Sequence, residues 1–423
     1  MRVLWVCNIM LPVIAEQMGL SYSNKEGWLT GLSERLLDEK TDEIVLGVCF
    51  PWQTQIEGKL QNREMYYYGF CEDVVHEERY DENLEKSMKR IIDLFCPDIL
   101  HCFGTEYGHT YAAVKAFGQP EHTLVGLQGI CSSCAEHYLD GIPARIAGRL
   151  TFRDLVRRDN LRMQQKKMEK RGERESKILQ MTGNVTGRTH YDHAAAENEN
   201  PGVRYYFMNE TMRSNFYGPA WDRKHCRRHS IFMSQGNYPV KGLHYMLRAL
   251  PALKEKYPDV HLYVAGDRIV KEKLLQRLIK QSSYGKYIHD LIKAGKLEDT
   301  VTFLGPLNAE QMCEQYLKCH VFASVSTIEN SPNSVGEAML LGVPVVSSLV
   351  GGVPDMLRNE EEGILYPAGD VDGLVQAVSR IFDQDALAGR FSVSAHMHAV
   401  KTHDKDANFN RLLEIYHDIN IHQ

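Results

Sequence analysis

Ser324-Val-Ser-Thr-Ile-Glu329-Asn330-Ser331-Pro-Asn333-Ser334-Val-Gly-Glu337-Ala-Met-Leu-Leu-Gly-Val-Pro344-Val-Val-Ser-Ser-Leu-Val-Gly351-Gly352-Val-Pro-Asp355 reads as strand, loop, helix, strand, Gly-Gly turn and helix. Two helix N-termini, near Ser334 and Pro354, then open at the same edge of one sheet. Backbone N–H groups at such ends favour anions, and Gly351-Gly352 lets a ligand come close to the backbone. The arrangement has the size of a diphosphate site.

Working outward, short apolar runs alternate with longer amphipathic stretches, the pattern of βα units in a parallel sheet. Around the quoted stretch the expected strands are Ser230–Ser234, His261–Ala265, Val301–Leu304, His320–Ser324, Pro344–Ser348 and Gly363–Tyr366. Helices are expected over Gly242–Tyr257 and Ala309–Lys318. Earlier in the chain Val3–Cys7, Ile44–Phe50, Ile99–Phe103 and Thr123–Leu127 repeat the logic, with a helix over Trp28–Lys40. Such nearly continuous apolar runs suit strands buried on both faces. The expected fold class is α/β, with two Rossmann-like domains facing each other across a cleft at the carboxyl ends of their strands. Turn-rich Asn209–Trp221 and basic Arg223–His229 set the boundary, giving domains of 1–212 and 213–403. An amphipathic closing helix over about 404–423 is expected to pack back on the first domain.

The chain has 423 residues, 43% hydrophobic and 25% charged, enough for two globular cores. Its 49 Lys and Arg against 55 Asp and Glu argue against nucleic acid as a partner. The sequence shows neither a signal peptide nor 18 consecutive apolar residues, and ten scattered cysteines suit a reducing compartment, so a cytoplasmic location is expected. Cys131-Ser-Ser-Cys134 with His137 has no second CxxC to complete a metal site, and no metal is expected. Between Arg145 and Lys177 twelve Lys or Arg face five Asp or Glu, with Ile146, Leu150, Phe152, Leu155, Val156 and Leu161 interleaved. Read as one basic amphipathic helix, the segment suits either a solvated surface or peripheral contact with the anionic inner face of a membrane.

Glu337 stands three residues after Ser334, the spacing of a capping box, so one reading is a carboxylate that caps its own helix. In the other, Glu329 and Glu337 grip vicinal hydroxyls of a sugar and a ribose. On the residues alone the two stand level. The whole run from Ser324 to Asp370, including Glu362-Gly-Ile-Leu-Tyr-Pro367-Ala-Gly-Asp370, resembles the Glu-x7-Glu signature of retaining glycosyltransferase family 4. That resemblance implies the GT-B fold and transfer of a hexosyl unit from a nucleoside diphosphate sugar to an acceptor hydroxyl with retention. It implies no cofactor and no obligatory metal. By it Glu337 holds the ribose, Glu329 the transferred sugar, and Asn330, Ser331, Asn333 and Ser334 bond to sugar and diphosphate. Lys241, in Val240-Lys241-Gly242, takes the place of the family's phosphate-binding Lys and would stabilise the leaving group. Leu304-Gly305 falls where the family seats the nucleobase.

The sequence departs from the pattern in places. No Arg precedes Lys241 in Met233-Ser-Gln235-Gly-Asn237, leaving Arg188 or Arg268 to meet phosphate charge. The usual N-terminal Gly-Gly is Glu26-Gly27, with Gly27 retained as a donor contact, and Gln128 stands where many members have His. Glu106 and His109, in His101-Cys-Phe-Gly104-Thr-Glu106-Tyr-Gly-His109, follow a strand and are candidates to orient the acceptor. Thr186–Asp192 and Phe207–Glu210 resemble stretches in family members that build bacterial surface polysaccharides, so a saccharide or lipid-linked saccharide acceptor is expected. A sugar-nucleotide epimerase, a phosphorylase and a non-catalytic nucleotide-sugar-binding protein are the alternative readings.

Overall fold

The computed structural model describes residues 1–20, 27–38, 44–61, 64–271 and 273–421. The chain divides into two compact units, one of Met1–Ser133, Lys167–Arg213 and the residues from His403 onward, the other of Cys134–Lys166 and Ser214–Thr402.

In the first unit eight strands form one sheet: β1 (Arg2–Val6), β2 (Val45–Trp52), β3 (Ile56–Lys59), β4 (Met65–Cys71), β5 (Ile99–Phe103), β6 (Thr123–Gly126), β7 (Asn184–Gly187) and β8 (Arg204–Phe207). Their order is β3-β4-β2-β1-β5-β6-β7-β8, parallel except for β3, which runs antiparallel to β4. Alternate residues of a strand face opposite sides, so β1 feeds two cores. Val3 and Trp5 pack with Phe409, Leu412, Ile415 and Tyr416 of the closing helix Lys405–Ile421. Leu4 and Val6 pack with Ile91 and Phe95 of the helix Asn83–Phe95 on the other face. The closing helix is tied in by Tyr416, whose hydroxyl accepts from Trp5 Nε1 at 2.8 Å and lies 2.7 Å from His101 Nδ1.

The second unit holds β9 (Ser230–Met233), β10 (His261–Ala265), β11 (Val301–Gly305), β12 (Val321–Ser324), β13 (Val345–Leu349) and β14 (Gly363–Pro367). All are parallel, in the order β11-β10-β9-β12-β13-β14. Counted from β9 this is 3-2-1-4-5-6, whose direction of winding reverses between β9 and β12. In such sheets the loops leaving the two strands at the reversal part to opposite faces and leave a crevice for ligand.

Three expectations need correcting. Residues 134–166 belong to the second unit, although the boundary reading assigned them to the first. They are bound there mostly through backbone groups: His244 Nε2 lies 3.0 Å from the carbonyl of Asp140, Arg248 donates to that of Gly141 at 2.6 Å, and Ser283 N donates to Asp154 at 2.8 Å. Nor is 145–177 one helix. It breaks into Ala144–Ala147, Phe152–Arg157 and a helix Leu161–Gln180, because Thr151 caps the second and Arg158 turns left-handed at φ 49°. Ile146 and Leu161 are buried rather than lipid- or solvent-facing. Strands β3, β4, β7 and β8 are not expected from the sequence; β7 reads Asn-Val-Thr-Gly, and the side-chain amide of its buried Asn184 donates to the carbonyl of Glu121 at 2.8 Å. Among the described residues no helix is long and apolar enough to cross a membrane.

Candidate functional site

The crevice of the second unit is built by loops that leave β9, β12 and β13. Gly242 adopts φ +68°, and a Cβ there would lie 1.8 Å from the carbonyl oxygen of Val325. Only glycine lets the turn Pro239–Lys241 press against the exit of β12. Thr327 N donates to the carbonyl of Val240 at 2.8 Å, and Ser348 Oγ to that of Ser326 at 2.6 Å. These bonds place the residue types of interest at the topological reversal.

Lys241 Nζ donates to Glu329 Oε1 at 2.5 Å, and Ser326 Oγ donates to the same oxygen at 2.6 Å. The ammonium lies 5.7 Å from the ring centroid of Tyr238. Burial pulls the lysine pKa down, but the Glu329 carboxylate and Tyr238 outweigh it and hold the group well above its ordinary value. Lys241 is therefore a fixed positive charge. A cation beside a helix start needs an anion nearby, and here Glu329 supplies it.

Glu337 is not a capping residue. The helix Asn333–Leu340 is preceded by Pro332, makes no side-chain cap, and places Glu337 in its second turn rather than at the third position. Its carboxylate is buried, 3.3 Å from the Tyr316 hydroxyl, which also donates to the carbonyl of Ser334 at 3.0 Å. The bland alternative for Glu337 thus fails, because the helix begins at Asn333 and not after Ser334. Asn330 and Ser331 are buried in the preceding loop, with Asn333 and Ser334 half-buried at the helix start.

Gly351 and Gly352 act differently from the expectation. A Cβ on Gly351 would lie 2.0 Å from the Glu329 carbonyl oxygen, and Gly352 N donates to that same oxygen at 3.1 Å. The close approach is to the protein's own backbone, so the pair fixes Glu329 and the Gly352 amide is spent. Leu304 and Gly305 end β11. Arg268 lies beside them, its Nε 3.9 Å from the Cβ position of Gly305. Tyr238, Ser326, Tyr316 and Asn237 were not foreseen. Asn237 Oδ1 is buried at the exit of β9 without a hydrogen-bond partner, which a ligand donor would satisfy. The signal was a polar side chain just past a strand of the reversal.

In the first unit Gln128 Nε2 donates to Glu210 Oε1 at 3.0 Å, and Arg188 NH1 lies 3.5 Å from the other carboxylate oxygen. Arg188 and Glu210 are both buried, so Arg188 serves a buried network of this unit, whereas Arg268 belongs to the second unit and is exposed after β10. Glu106 follows β5, and burial raises its pKa against the opposing Arg171 charge. One of its carboxyl oxygens is buried without a hydrogen-bond partner. His109 is a correction: it is fully buried in the helix Gly108–Phe117, with Nδ1 2.5 Å from Glu72 and its ring stacked on Tyr107, and cannot face an acceptor. Gly27 opens the helix Gly27–Asp38, while Glu26 lies outside the described residues. Among the described residues no cluster of three His, Cys, Asp or Glu is placed to hold a metal ion.

Residues 227–384, all within the second unit, match the family described as Glycosyl transferases group 1. The second unit thus resembles group 1 glycosyltransferase domains over a stretch shorter than half of the chain. A phosphatidyl-myo-inositol mannosyltransferase of Mycobacterium leprae is 28% identical over 189 residues, 45% of this chain and 46% of that protein. The chain thus spans less than half the length of that curated relative. Sucrose-phosphate synthase from Thermosynechococcus elongatus superposes with a TM-score of 0.71 at 14% identity, over 100% of both chains. Anabaena HepE in complex with UDP superposes at 0.65 and 14% identity, over 99% of this chain and 100% of that one. The fold is GT-B.

Proposed function

We propose that the protein is a retaining glycosyltransferase that moves a hexosyl unit from a nucleoside diphosphate sugar to an acceptor hydroxyl, in cell-surface polysaccharide or glycoconjugate synthesis. The observation that carries the reading is the Lys241–Glu329 pair at 2.5 Å, set at the sheet reversal in the second unit, where the helix Asn333–Leu340 begins four residues after Glu329. Glu337 receives the ribose hydroxyls. Glu329 turns from Lys241 to the transferred sugar as the diphosphate takes over the ammonium. Lys241 and the N-terminus of Asn333–Leu340 then carry the negative charge that grows on the departing diphosphate. No metal is needed for that charge balance. Arg268 completes it, and Leu304-Gly305 supports the base. Gln128 and Glu106 recognise the acceptor, a saccharide or lipid-linked saccharide. HepE was crystallised with UDP, which makes UDP-sugars the first donors to try.

The test is incubation with UDP-, GDP-, ADP- and CMP-sugars plus glycolipid or oligosaccharide acceptors, without added metal. Nucleotide release that requires acceptor, with an α-linked product from an α-donor by NMR, is the expected result. Turnover of donor without acceptor to an epimeric sugar would assign an epimerase instead.

A further inference from the structure

The second unit carries an apolar face that its own core leaves uncovered. Helix Phe152–Arg157 exposes Phe152, Leu155 and Val156, at spacing i, i+3 and i+4. The helix Leu274–Lys280 packs beside it and repeats the spacing with Leu275, Leu278 and Ile279. Leu155 and Leu278 are 63% and 64% exposed, and Leu150 next to the first helix is 55% exposed. Six large apolar side chains on two adjoining short helices, with Leu150 beside them, form an exposed apolar patch, and such patches mark interaction surfaces.

The display is held in place. Asp154, on the opposite side of its helix, is fully buried and accepts from Ser283 N at 2.8 Å, from which that helix cannot roll without losing the bond. Gln281 anchors the other helix, donating to the carbonyl of Ile269 at 2.8 Å and accepting from Lys271 N at 2.9 Å. Burying the apolar side chains inward would break both anchors.

Charge selects the occupant. Residues 149–162 and 271–280 hold nine Lys or Arg against three Asp or Glu, in a chain of net charge −6. Of the acids, Asp154 is buried and Asp159 is bridged by Arg153 at 3.2 Å. Arg157, Arg158, Arg162, Lys273 and Lys280 are exposed around the patch. A second copy of this face would set positive charge against positive charge, whereas an anionic bilayer offers apolar depth and negative headgroups together. We propose that the paired helices Phe152–Arg157 and Leu274–Lys280 dock the protein on an anionic phospholipid surface, with their six apolar side chains at the headgroup boundary and the flanking Arg and Lys on the phosphates.

The experiment is co-sedimentation of the full chain with phosphatidylcholine vesicles containing or lacking phosphatidylglycerol. Wild type is expected to bind the anionic vesicles at least tenfold better than neutral ones and to weaken with added salt, as screened charge attraction requires. Leu155→Glu combined with Leu278→Glu is expected to lose at least tenfold, and Arg157→Ala with Arg158→Ala severalfold. All these positions are exposed, so unchanged melting temperature and unchanged UDP binding confirm that the fold and the nucleotide crevice are intact. Equal binding by the glutamate variant would overturn the proposal. So would wild-type self-association that the glutamate variant abolishes, with no vesicle binding at low salt.

Discussion

At the residue scale, Lys241 and Glu329 are coupled so tightly that each explains the other's burial. Removing one partner leaves a part-buried charge without its mate. Lys241→Ala and Glu329→Ala should each cost about 1.5–3 kcal/mol of stability, and the double variant less than their sum, by urea unfolding. Tyr416→Phe strips the acceptor from buried Trp5 Nε1, and a loss of about 1–3 kcal/mol is expected. Burial lowers the pKa of His101 to about 3, of His244 to about 3 and of His320 to about 4. Unfolded, each takes its proton near pH 6.5, so their contribution is complete above that pH and falls away as pH drops toward 3–4. Each costs up to about 1.4 kcal/mol per pH unit in that window, and the urea midpoint should fall between pH 7 and pH 5, less steeply in His244→Gln. A flat midpoint would show that these rings take protons while folded. Sequence showed Glu329, Glu337 and Lys241 as a spaced set. It could not show that Glu337 lies in the second helical turn, since a shift of two residues, from Ser334 to Pro332 as the residue before the helix, separates a cap from a buried acid. His109 was misplaced for the same kind of reason: its partner Glu72 is 37 positions away.

At the element scale, glycines decide how the loops of the second unit meet. Gly242→Ala must either abandon φ +68° or push Val325 away, and we expect a loss of at least about 2 kcal/mol together with weakened nucleotide binding. A variant as stable as wild type would mean the turn at Pro239–Lys241 is not fixed by that contact. Strands whose residues are nearly all apolar, such as β5 with Ile-Leu-His-Cys-Phe, were legible because burial on both faces demands such runs. Strand β7 was not, because two of its four residues are the polar Asn184 and Thr186, and Asn184 donates to backbone carbonyls instead of packing. The aromatic run of β4, Met-Tyr-Tyr-Tyr-Gly-Phe-Cys, carried a strand signal through β-propensity rather than through apolar patterning. The basic segment was legible as charge and apolar content, but its division into three helices depends on Thr151 and Arg158, where local turn chemistry overrides helical periodicity.

At the scale of the whole molecule, the chain crosses between its units more often than a two-block reading allows. The closing helix returns to the first unit and buries Phe409, Leu412, Ile415, Tyr416 and Ile419. At about 1.5–3 kcal/mol for each large apolar side chain, their loss matches the whole stability of an ordinary domain. A chain ending at Thr402 should therefore lose the near-UV signal of Trp5, and retention of that signal would show the helix to be dispensable. The excursion of 134–166 into the second unit left no mark in the pattern, since several of its contacts are made by backbone carbonyls, those of Asp140 and Gly141 among them. The two α/β units themselves were legible, as alternating runs are a property of the entire sequence. The central claim is the nucleotide crevice of Lys241, Glu329 and Glu337. It is tested most directly by calorimetric titration of wild type, Lys241→Ala and Glu337→Ala with UDP, GDP, ADP and CMP. We predict that wild type binds one diphosphate and that each variant, still folded by circular dichroism, binds it at least tenfold more weakly. Equal affinity in all three proteins, or no binding of any nucleotide by wild type, would contradict the account.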